Sequence, residues 1–351
     1  MSTNPAPTTS ARSNESHDFA VLKSVGHSRL VAILTFPDVQ ILDVTGPLEV
    51  LCKANNAMAA AYRPLILAEQ SGSLKTSGPL SLDIDRSLSQ VTKEDIRALD
   101  TLIVPGGPGI IQAMKRPAMV AFVKEVAMTA RRLVSVCSGT FLLAEAGLLA
   151  GRRATSHWGV LDDLQDSFPD VQVERNAIYV QDGNIWSSAG VTAGIDMTLA
   201  LVEDDLGREV ALAAARDLVV YMRRSGGQAQ FAQHLPARRP HDPKLRALID
   251  WIGENLTGDL SVQALAGRCA MSERNFSRRF LEQSGVSPAR YVEQSRLAFC
   301  REQLEKGYLN MAQIAHDSGL KTPEILRRLF QRQLGISPTE YRDRFRSAVR
   351  R

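Results

Sequence analysis

One cysteine of the chain stands where its surroundings could make it reactive. Cys137 directly follows the apolar run 133–136 and precedes Ser138, Gly139 and a helix-forming stretch at residues 140–146. A side chain at such a strand-to-helix turn lies at a helix N terminus, where the dipole and the free amides lower the pKa of a thiol. The pattern predicts a reactive or ligand-facing thiolate, with a buried and inert cysteine as the alternative.

Other side chains that could share this chemistry follow Cys137. His157, in Thr-Ser-His-Trp, is a possible partner for the thiol, although an isolated histidine is more often structural than catalytic. Trp158 beside it could belong to the core or form the wall of an apolar or cation-binding pocket. Residues 187–194 form a small-residue turn ahead of a helix, and Thr192 lies in it.

The elements around these residues predict a parallel sheet. Short, almost wholly apolar runs that could be strands alternate with helical stretches such as residues 111–130, and they occupy residues 29–36, 65–68, 101–104 and 133–136. Such alternation is typical of a doubly wound, mostly parallel, flavodoxin-like α/β sheet. Ligands of these sheets bind beyond the carboxyl ends of the strands. Here those ends carry residues 43–47, 105–109 and 137–139.

Four segments carry a family resemblance: residues 104–109, 136–140, 155–157 and 188–196. They resemble the PfpI family of the class I glutamine amidotransferase-like superfamily, over about residues 29–222. The resemblance implies a nucleophile position at Cys137, a histidine at His157, an acid at Asp43, and oxyanion amides from Gly107 and Ser138. Ser138 replaces the histidine of protease-like members, so protease activity is not implied. The implied ligand-binding set is Asp43, Gly107, Cys137, Ser138, His157, Trp158 and Thr192.

Positive charge is concentrated in the last third of the chain. The 351 residues carry a net charge of +4, but residues 240–351 contain 19 Lys and Arg against 13 Asp and Glu, and the remainder has a net charge of −2. This asymmetry favours a module that binds a polyanion, attached to a near-neutral globular domain. The Gly- and Pro-rich residues 223–242 are the predicted linker.

The basic module repeats itself at an offset of fifty residues. Identical residues recur at eight pairs of positions, and Ser272 and Thr322 match as helix N-cap types; the pairs are 263/313, 278/328, 280/330, 283/333, 285/335, 287/337, 288/338 and 291/341. Such self-similarity indicates two copies of one helical unit. The first copy, about residues 262–283, predicts a short helix to Cys269, a turn at 270–271, and a second helix capped by Ser272.

The second copy, about residues 311–333, predicts a helix at 311–317, a turn at 318–319, and a helix opened by Thr322 with Pro323 at its first position. Both copies therefore have helix-turn-helix geometry with paired arginines on the second helix. A helix of about 28 Å, from Ser287 to Gly307, would connect them so that they reach successive major grooves about 34 Å apart. The alternative is a helical bundle whose arginines are merely solvated.

Two segments, residues 285–291 and 335–342, each follow one of these helix-turn-helix units. Together with the units, they resemble the AraC/XylS transcriptional regulators over about residues 243–345. Arginine suits guanine and asparagine suits adenine in the major groove. The residues that the resemblance implies for DNA are Ser272, Arg274, Asn275, Arg278, Arg279, Thr322, Glu324, Arg327 and Arg328. Glu324 is repelled by phosphate unless it accepts from a cytosine amine, so the second unit is expected to read fewer bases. Phe280, Phe330, Leu265 and Ile314 are expected in the core.

Composition limits the remaining possibilities. The chain has 44% hydrophobic and 23% charged residues and no apolar run near the ~20 residues that span a bilayer. Four cysteines without a close pair make neither a disulfide framework nor a dense metal site, so we expect no metal and no cofactor. Cys269 and Cys300 are expected to be small buried hydrophobes. The polar, low-complexity N terminus predicts a disordered tail at residues 1–28 and a cytoplasmic protein.

The two resemblances together match the GlxA-type regulators of the AraC/XylS family. They imply a PfpI-like sensor at 29–222, a linker at 223–242 and a DNA-binding domain at 243–345. The predicted function is a transcriptional regulator, an activator that works with RNA polymerase and double-stranded DNA as a homodimer. A small nitrogenous effector would bind in an old enzyme pocket. The alternatives are a cysteine-dependent hydrolase or glyoxalase-like enzyme carrying a DNA-binding module, and a purely architectural DNA binder.

Overall fold

The computed structural model describes residues 28–222, 226–231 and 240–345. The predicted tail, except Ser28, and residues 223–225 and 232–239 of the predicted linker lie outside these ranges. The described residues divide into two compact units. The first unit comprises residues 28–154 and 181–222, and the second comprises residues 155–180, 226–231 and 240–345.

The first unit is built on a seven-stranded sheet of order β10-β11-β7-β6-β1-β2-β5. Pairing is parallel from β11 through β7, β6, β1 and β2 to β5, and β3 and β4 form a separate antiparallel hairpin. The strands are β1 (Arg29–Leu34), β2 (Tyr62–Ala68), β3 (Gly72–Lys75), β4 (Ser81–Ile84), β5 (Arg86–Ser87), β6 (Leu99–Val104), β7 (Arg132–Val136), β8 (Arg153–Ala154), β9 (Gln172–Val173), β10 (Tyr179–Asp182) and β11 (Ile185–Ser188).

The helices complete the α/β layers and then account for the regular structure of the described C-terminal residues, which confirms the predicted fold class. They are α1 (Ile41–Ala57), α2 (Lys93–Ala98), α3 (Ile110–Met114), α4 (Pro117–Ala127), α5 (Thr140–Glu145), α6 (Leu161–Ser167), α7 (Thr192–Leu206), α8 (Arg208–Asp217), α9 (Pro243–Glu254), α10 (Val262–Arg268), α11 (Glu273–Ser284), α12 (Pro288–Lys306), α13 (Met311–Asp317), α14 (Pro323–Leu334) and α15 (Pro338–Phe345).

The predicted strands form, with shifted ends. β2 and β6 begin two or three residues earlier than expected, and β1 ends at Leu34 rather than at residue 36. The single helix expected at 111–130 was wrong, because the structure has α3 and α4 with a break before Pro117. Proline lacks an N–H and disfavours helical backbone at the residue before it, so a new helix starts there. The burial of β1, β6 and β7 explains their apolar sequences.

Helices α10 and α11, and helices α13 and α14, occupy the residues of the two predicted helix-turn-helix units. Ser272 and Thr322 cap α11 and α14 through bonds to the amides of Asn275 and Ile325. Ser287 caps the 19-residue α12, which ends at Gly307 in the left-handed conformation. Each helix-turn-helix unit packs on its own hydrophobic cluster. One cluster surrounds Phe276 and Phe280, and the other surrounds Phe330 and Tyr341. The expected core residues Leu265, Ile314, Phe280 and Phe330 are fully buried, and Cys269 and Cys300 are buried with them.

No helix in the described ranges has both the length and the apolar character that a membrane crossing needs.

Candidate functional site: a buried elbow and two recognition helices

Cys137 lies on a strained turn between β7 and α5. Its φ is +57°, in the left-handed region that β-carbon-bearing residues rarely adopt. Two glycines pack against it so closely that a Cβ on Gly190 would lie 2.3 Å, and one on Gly106 2.8 Å, from the Cys137 Cβ. The two glycines thus pack directly against Cys137, and strained backbone of this kind is common at functional sites.

Asp43 holds the other half of this site. It lies in the first turn of α1 with no exposed surface. Its Oδ2 accepts a hydrogen bond from the Gly106 amide at 3.1 Å, and its Oδ1 accepts one from the Val191 amide at 2.7 Å. The Cys137 thiol also forms a hydrogen bond with this carboxyl group. Burial raises the pKa of Asp43 to about 6, against the opposing effect of the hydrogen bonds from Val191, Gly106 and Cys137.

The thiol of Cys137 is held protonated. Burial raises its pKa above the ordinary value, and the neighbouring Asp43 charge raises it further, while hydrogen bonds from Ser138 oppose the change. The expectation that the helix N terminus lowers this pKa is therefore wrong. The dipole of the short α5 is outweighed by loss of water and by a carboxylate in contact. The elbow presents a thiol and a carboxyl group, not a thiolate.

Gly107 and Ser138, the residues to which the resemblance assigns the oxyanion amides, contact each other. The Gly107 amide donates to Ser138 Oγ at 3.0 Å, so the amide that the resemblance assigns to an oxyanion is engaged within the protein. Gly107 has φ +143°, and a Cβ there would lie 2.5 Å from the Gln40 nitrogen. Thr192 is exposed at the start of α7. Asp43, Gly107, Cys137 and Ser138 are thus one cluster of the first unit.

His157 and Trp158 belong to the second unit, on a turn that leads into α6. The Gly159 amide donates to His157 Nδ1 at 3.2 Å, and the two ring centroids are 5.0 Å apart. Burial lowers the pKa of His157. The imidazole is therefore neutral at pH 7, with Nδ1 as an acceptor and its proton on Nε2.

The second helix of each helix-turn-helix unit is here called its recognition helix. The first of them, α11, carries its polar side chains on the surface. Arg278 donates to Glu282 at 2.9 Å and to Asn275 at 3.1 Å, and Arg274 is exposed. Arg279 differs from them because it forms an ion pair at 2.9 Å with Asp242, the N-cap residue of α9. Arg279 therefore fastens α11 to the start of α9.

The second recognition helix, α14, gathers its charges around one carboxylate. Glu324 accepts from Arg327 at 3.1 Å and from Arg328 at 3.3 Å, and the hydrogen bond from Arg327 lowers the pKa of Glu324. Ile325, which the sequence analysis did not single out, is 41% exposed. The fifty-residue offset could have found it, because Ile325 takes the position of Asn275.

Among the described ranges, no group of three or more His, Cys, Asp or Glu side chains is arranged to hold a metal ion.

Two family models match the chain in separate regions. The DJ-1/PfpI family model matches residues 29–204, and a helix-turn-helix domain model matches residues 265–344. The fold of the first region is similar to the crystal structure of a THiJ/PfpI family protein from Pseudomonas syringae, with a TM-score of 0.50 and 26% identity over 65% of this chain and 87% of that chain.

Named relatives cover one or both regions. The chain is 31% identical to the HTH-type transcriptional regulator GbdR of Pseudomonas aeruginosa over 299 residues, which are 82% of this chain and 80% of that one. It is 34% identical to an isonitrile hydratase of Pseudomonas putida over 182 residues, 52% of this chain and 74% of the enzyme. With the site and both helix-turn-helix units in place, the chain belongs to the DJ-1/PfpI family and, through its AraC-type helix-turn-helix domain, is a transcriptional regulator.

Proposed function

We propose that this regulator is controlled by a small nitrogenous metabolite that binds at the elbow of Asp43 and Cys137. One observation carries the proposal: a fully buried carboxyl group with a pKa of about 6 is largely ionised at neutral pH, and its hydrogen bonds come from two neutral amides and a thiol. A buried negative charge is costly unless a positive charge compensates it. An ammonium or quaternary amine group would supply that charge.

Turnover at this elbow is less well supported than binding. A cysteine nucleophile reacts as the thiolate, which a lowered pKa favours. Here burial and Asp43 raise the pKa of Cys137, and Ser138 Oγ engages the amide of Gly107. These features favour a pocket in which the old catalytic residues recognise a ligand without reacting with it.

The bound metabolite would act by changing how the two helix-turn-helix units meet operator DNA. Control of this kind requires that the ligand bind two arrangements of the protein with different affinities. We expect a cytoplasmic homodimer that reads bases mainly with Asn275 and Arg278, and an activator that works with RNA polymerase.

A second function stays in view because of one relative. The enzyme that shares 34% identity over the first region is named an isonitrile hydratase, and the contact between Cys137 and Asp43 is the kind of paired group that could carry out a hydration. A metabolic enzyme fused to a DNA-binding module would lose turnover when Cys137 is replaced.

The deciding experiment is to map where the protein lies on its chromosome at physiological salt, since specificity depends on salt. Discrete sites upstream of one operon would support a regulator, and the substrate of that operon becomes the first effector to test. Transcription is then measured with Cys137→Ser and with the control Cys52→Ser, at an exposed cysteine of α1. Retained response in Cys137→Ser supports binding without chemistry. Turnover of the substrate by the wild-type protein, lost only in Cys137→Ser, supports the enzyme.

A further inference from the structure

A short segment of the predicted linker is buried in the second unit. Residues 226–231, here called the clasp, include a 3-10 turn at Gln228–Gln230. Gln228 and Gln230 are 1% and 0% exposed. Glutamine is normally a surface residue, and its burial requires partners for its amide group.

One face of the clasp forms hydrogen bonds with residues 155–156, just before the turn of His157 and Trp158, and with residues 176–177. Gln228 Nε2 donates to Thr155 Oγ1 at 2.9 Å, and it lies within bonding distance of the Ser156 and Ala177 carbonyl oxygens at 3.1 and 3.2 Å. The amides of Gln228 and Ala229 donate to the Asn176 carbonyl and side-chain oxygens at 3.1 and 2.9 Å. This face is therefore specified by side chain and backbone together.

The other face is bonded to the scaffold of the second helix-turn-helix unit. The Gln230 carbonyl accepts from Arg301 of α12 at 3.2 Å, and Gln230 Oε1 accepts from Arg344 of α15 at 2.8 Å. Arg301 also donates to the Tyr341 hydroxyl at 2.8 Å, inside the cluster that supports α14. Phe231 meets Phe345 edge to face, with centroids 5.7 Å apart.

The backbone of the clasp fits only because two of its residues lack a side chain. A Cβ on Gly227 would lie 2.0 Å from the Asn176 carbonyl oxygen, and one on Gly226 would lie 2.9 Å from Ile336. The fit leaves one defect: Gln228 Oε1 is buried and finds no hydrogen-bond partner among the described residues. An unsatisfied buried acceptor costs free energy. The hydrogen-bonded position of the clasp is therefore less stable than it would be with every polar atom paired, and a small displacement of its partners can disfavour it.

We propose that the clasp couples the segment of residues 155–180 to the second helix-turn-helix unit, with Gln228 and Gln230 as positioning residues. A displacement of Thr155 or Asn176 is passed through Gln228 to Gln230, and from there to Arg301 and Arg344, because the two faces share one backbone turn. The coupling deepens the proposed control by a metabolite and rests on it for its biological purpose. The physical coupling itself is testable without a ligand.

The test is hydrogen exchange of the full chain, without DNA or metabolite, in variants at the contact between the clasp and residues 155–180. Thr155→Val removes the hydroxyl that Gln228 contacts, and Thr155→Ser keeps it. Gly227→Ala introduces the clash with Asn176, and Gly253→Ala is its control because a Cβ at Gly253 has no neighbour within 4 Å. Exchange reports the stability of each region separately.

We expect amides of α14 and α15 to exchange at least about fivefold faster in Thr155→Val, which removes the hydrogen bonds of this hydroxyl with Gln228 and with the Glu174 carbonyl. The same direction is expected for Gly227→Ala, and no change is expected in the controls. Faster exchange confined to residues 155–180, with α14 and α15 as in the wild type, would overturn the coupling. If Gly227→Ala fails to fold, Thr155→Val and its serine control decide the matter.

Affinity for the mapped operator separates this inference from the proposed function. Weaker operator binding in Thr155→Val, by about fivefold, is expected if both hold. Altered exchange with no specific operator anywhere on the chromosome would leave the coupling and remove the regulator's proposed control. Altered exchange with unchanged operator affinity would overturn transmission to DNA.

Discussion

The elbow and the recognition helices use similar polar side chains under opposite conditions. At the elbow, Asp43 is fully buried and Cys137 is partly buried, and burial is the main cause of both pKa shifts. On α14, Glu324 and its arginine partners are exposed, and the hydrogen bond from Arg327 is the main cause of the shift at Glu324. Enclosed groups interact strongly and tolerate few partners, whereas exposed pairs are weak and exchange readily for phosphates or bases. Substitutions should therefore have large effects at the elbow and small ones on the recognition helices.

The largest effect is expected for Gly190→Ala. Its φ of +94° and the 2.3 Å approach of a Cβ to Cys137 leave no room for a methyl group. The free energy of unfolding of the first unit should fall by more than about 4 kcal/mol. Gly147→Ala is the control, since Gly147 has φ +77° but no neighbour within 4 Å, and it should cost about 1–2 kcal/mol. Urea unfolding measures both, and similar losses in the two variants would show that the elbow is not tightly enclosed.

A pH dependence follows from Asp43. Its pKa is 3.8 ordinarily and about 6 in the folded protein, so between these values the folded state binds more protons than the unfolded state. Stability therefore falls as pH rises through this window, by about 3 kcal/mol in total. The wild type should lose this amount relative to Asp43→Asn between pH 4 and pH 7 in urea unfolding. A difference between the two proteins that does not vary with pH would contradict the burial of a titrating carboxyl group.

On the exposed side, Arg278→Ala should weaken binding to the operator by ~1–3 kcal/mol if Arg278 reads a base. Arg328→Ala should cost less, because the second helix-turn-helix unit is expected to read fewer bases and Arg328 mainly to hold phosphate. Fluorescence anisotropy at one salt concentration, with operator and random DNA, measures both. Equal losses on the two DNAs would reduce Arg278 to a phosphate contact.

The smallest effect is expected for Glu324→Gln. It releases Arg327 and Arg328 from their shared carboxylate, and binding to random DNA should become about two- to threefold tighter with a steeper salt dependence. Glu302→Gln removes the same charge from an i,i+4 pair with Lys306 on α12 and serves as the control. The same gain in both variants would mean that only the net charge matters.

What the sequence could predict depends on how local the cause is. Ser272, Ser287 and Thr322 define helix starts through hydrogen bonds from amides three residues away, so the run of helices from α10 to α14 was predictable. The bond between Asp43 and Val191 joins residues 148 positions apart, and no local pattern announces it. Burial of the elbow, which reverses the expected pKa of Cys137, depends on such distant contacts.

The clasp shows the same limit from the other side. Its composition is that of a linker, and Gly226 and Gly227 are part of the Gly- and Pro-rich pattern that predicts one. The structure uses them because no Cβ fits beside Ile336 and Asn176. Only the packing around the segment distinguishes a glycine that allows motion from one that allows close contact.

The length of α12 has a consequence for the operator. Its nineteen residues are fixed at both ends, by the Ser287 cap and by Gly307 with φ +75°. One residue more or less would move the second helix-turn-helix unit by only about 1.5 Å along the axis but rotate it by about 100°. The helix thus sets the phase between the two units more strictly than their separation. The predicted separation of about 34 Å, one turn of DNA, would place the two sub-sites on the same side of the double helix.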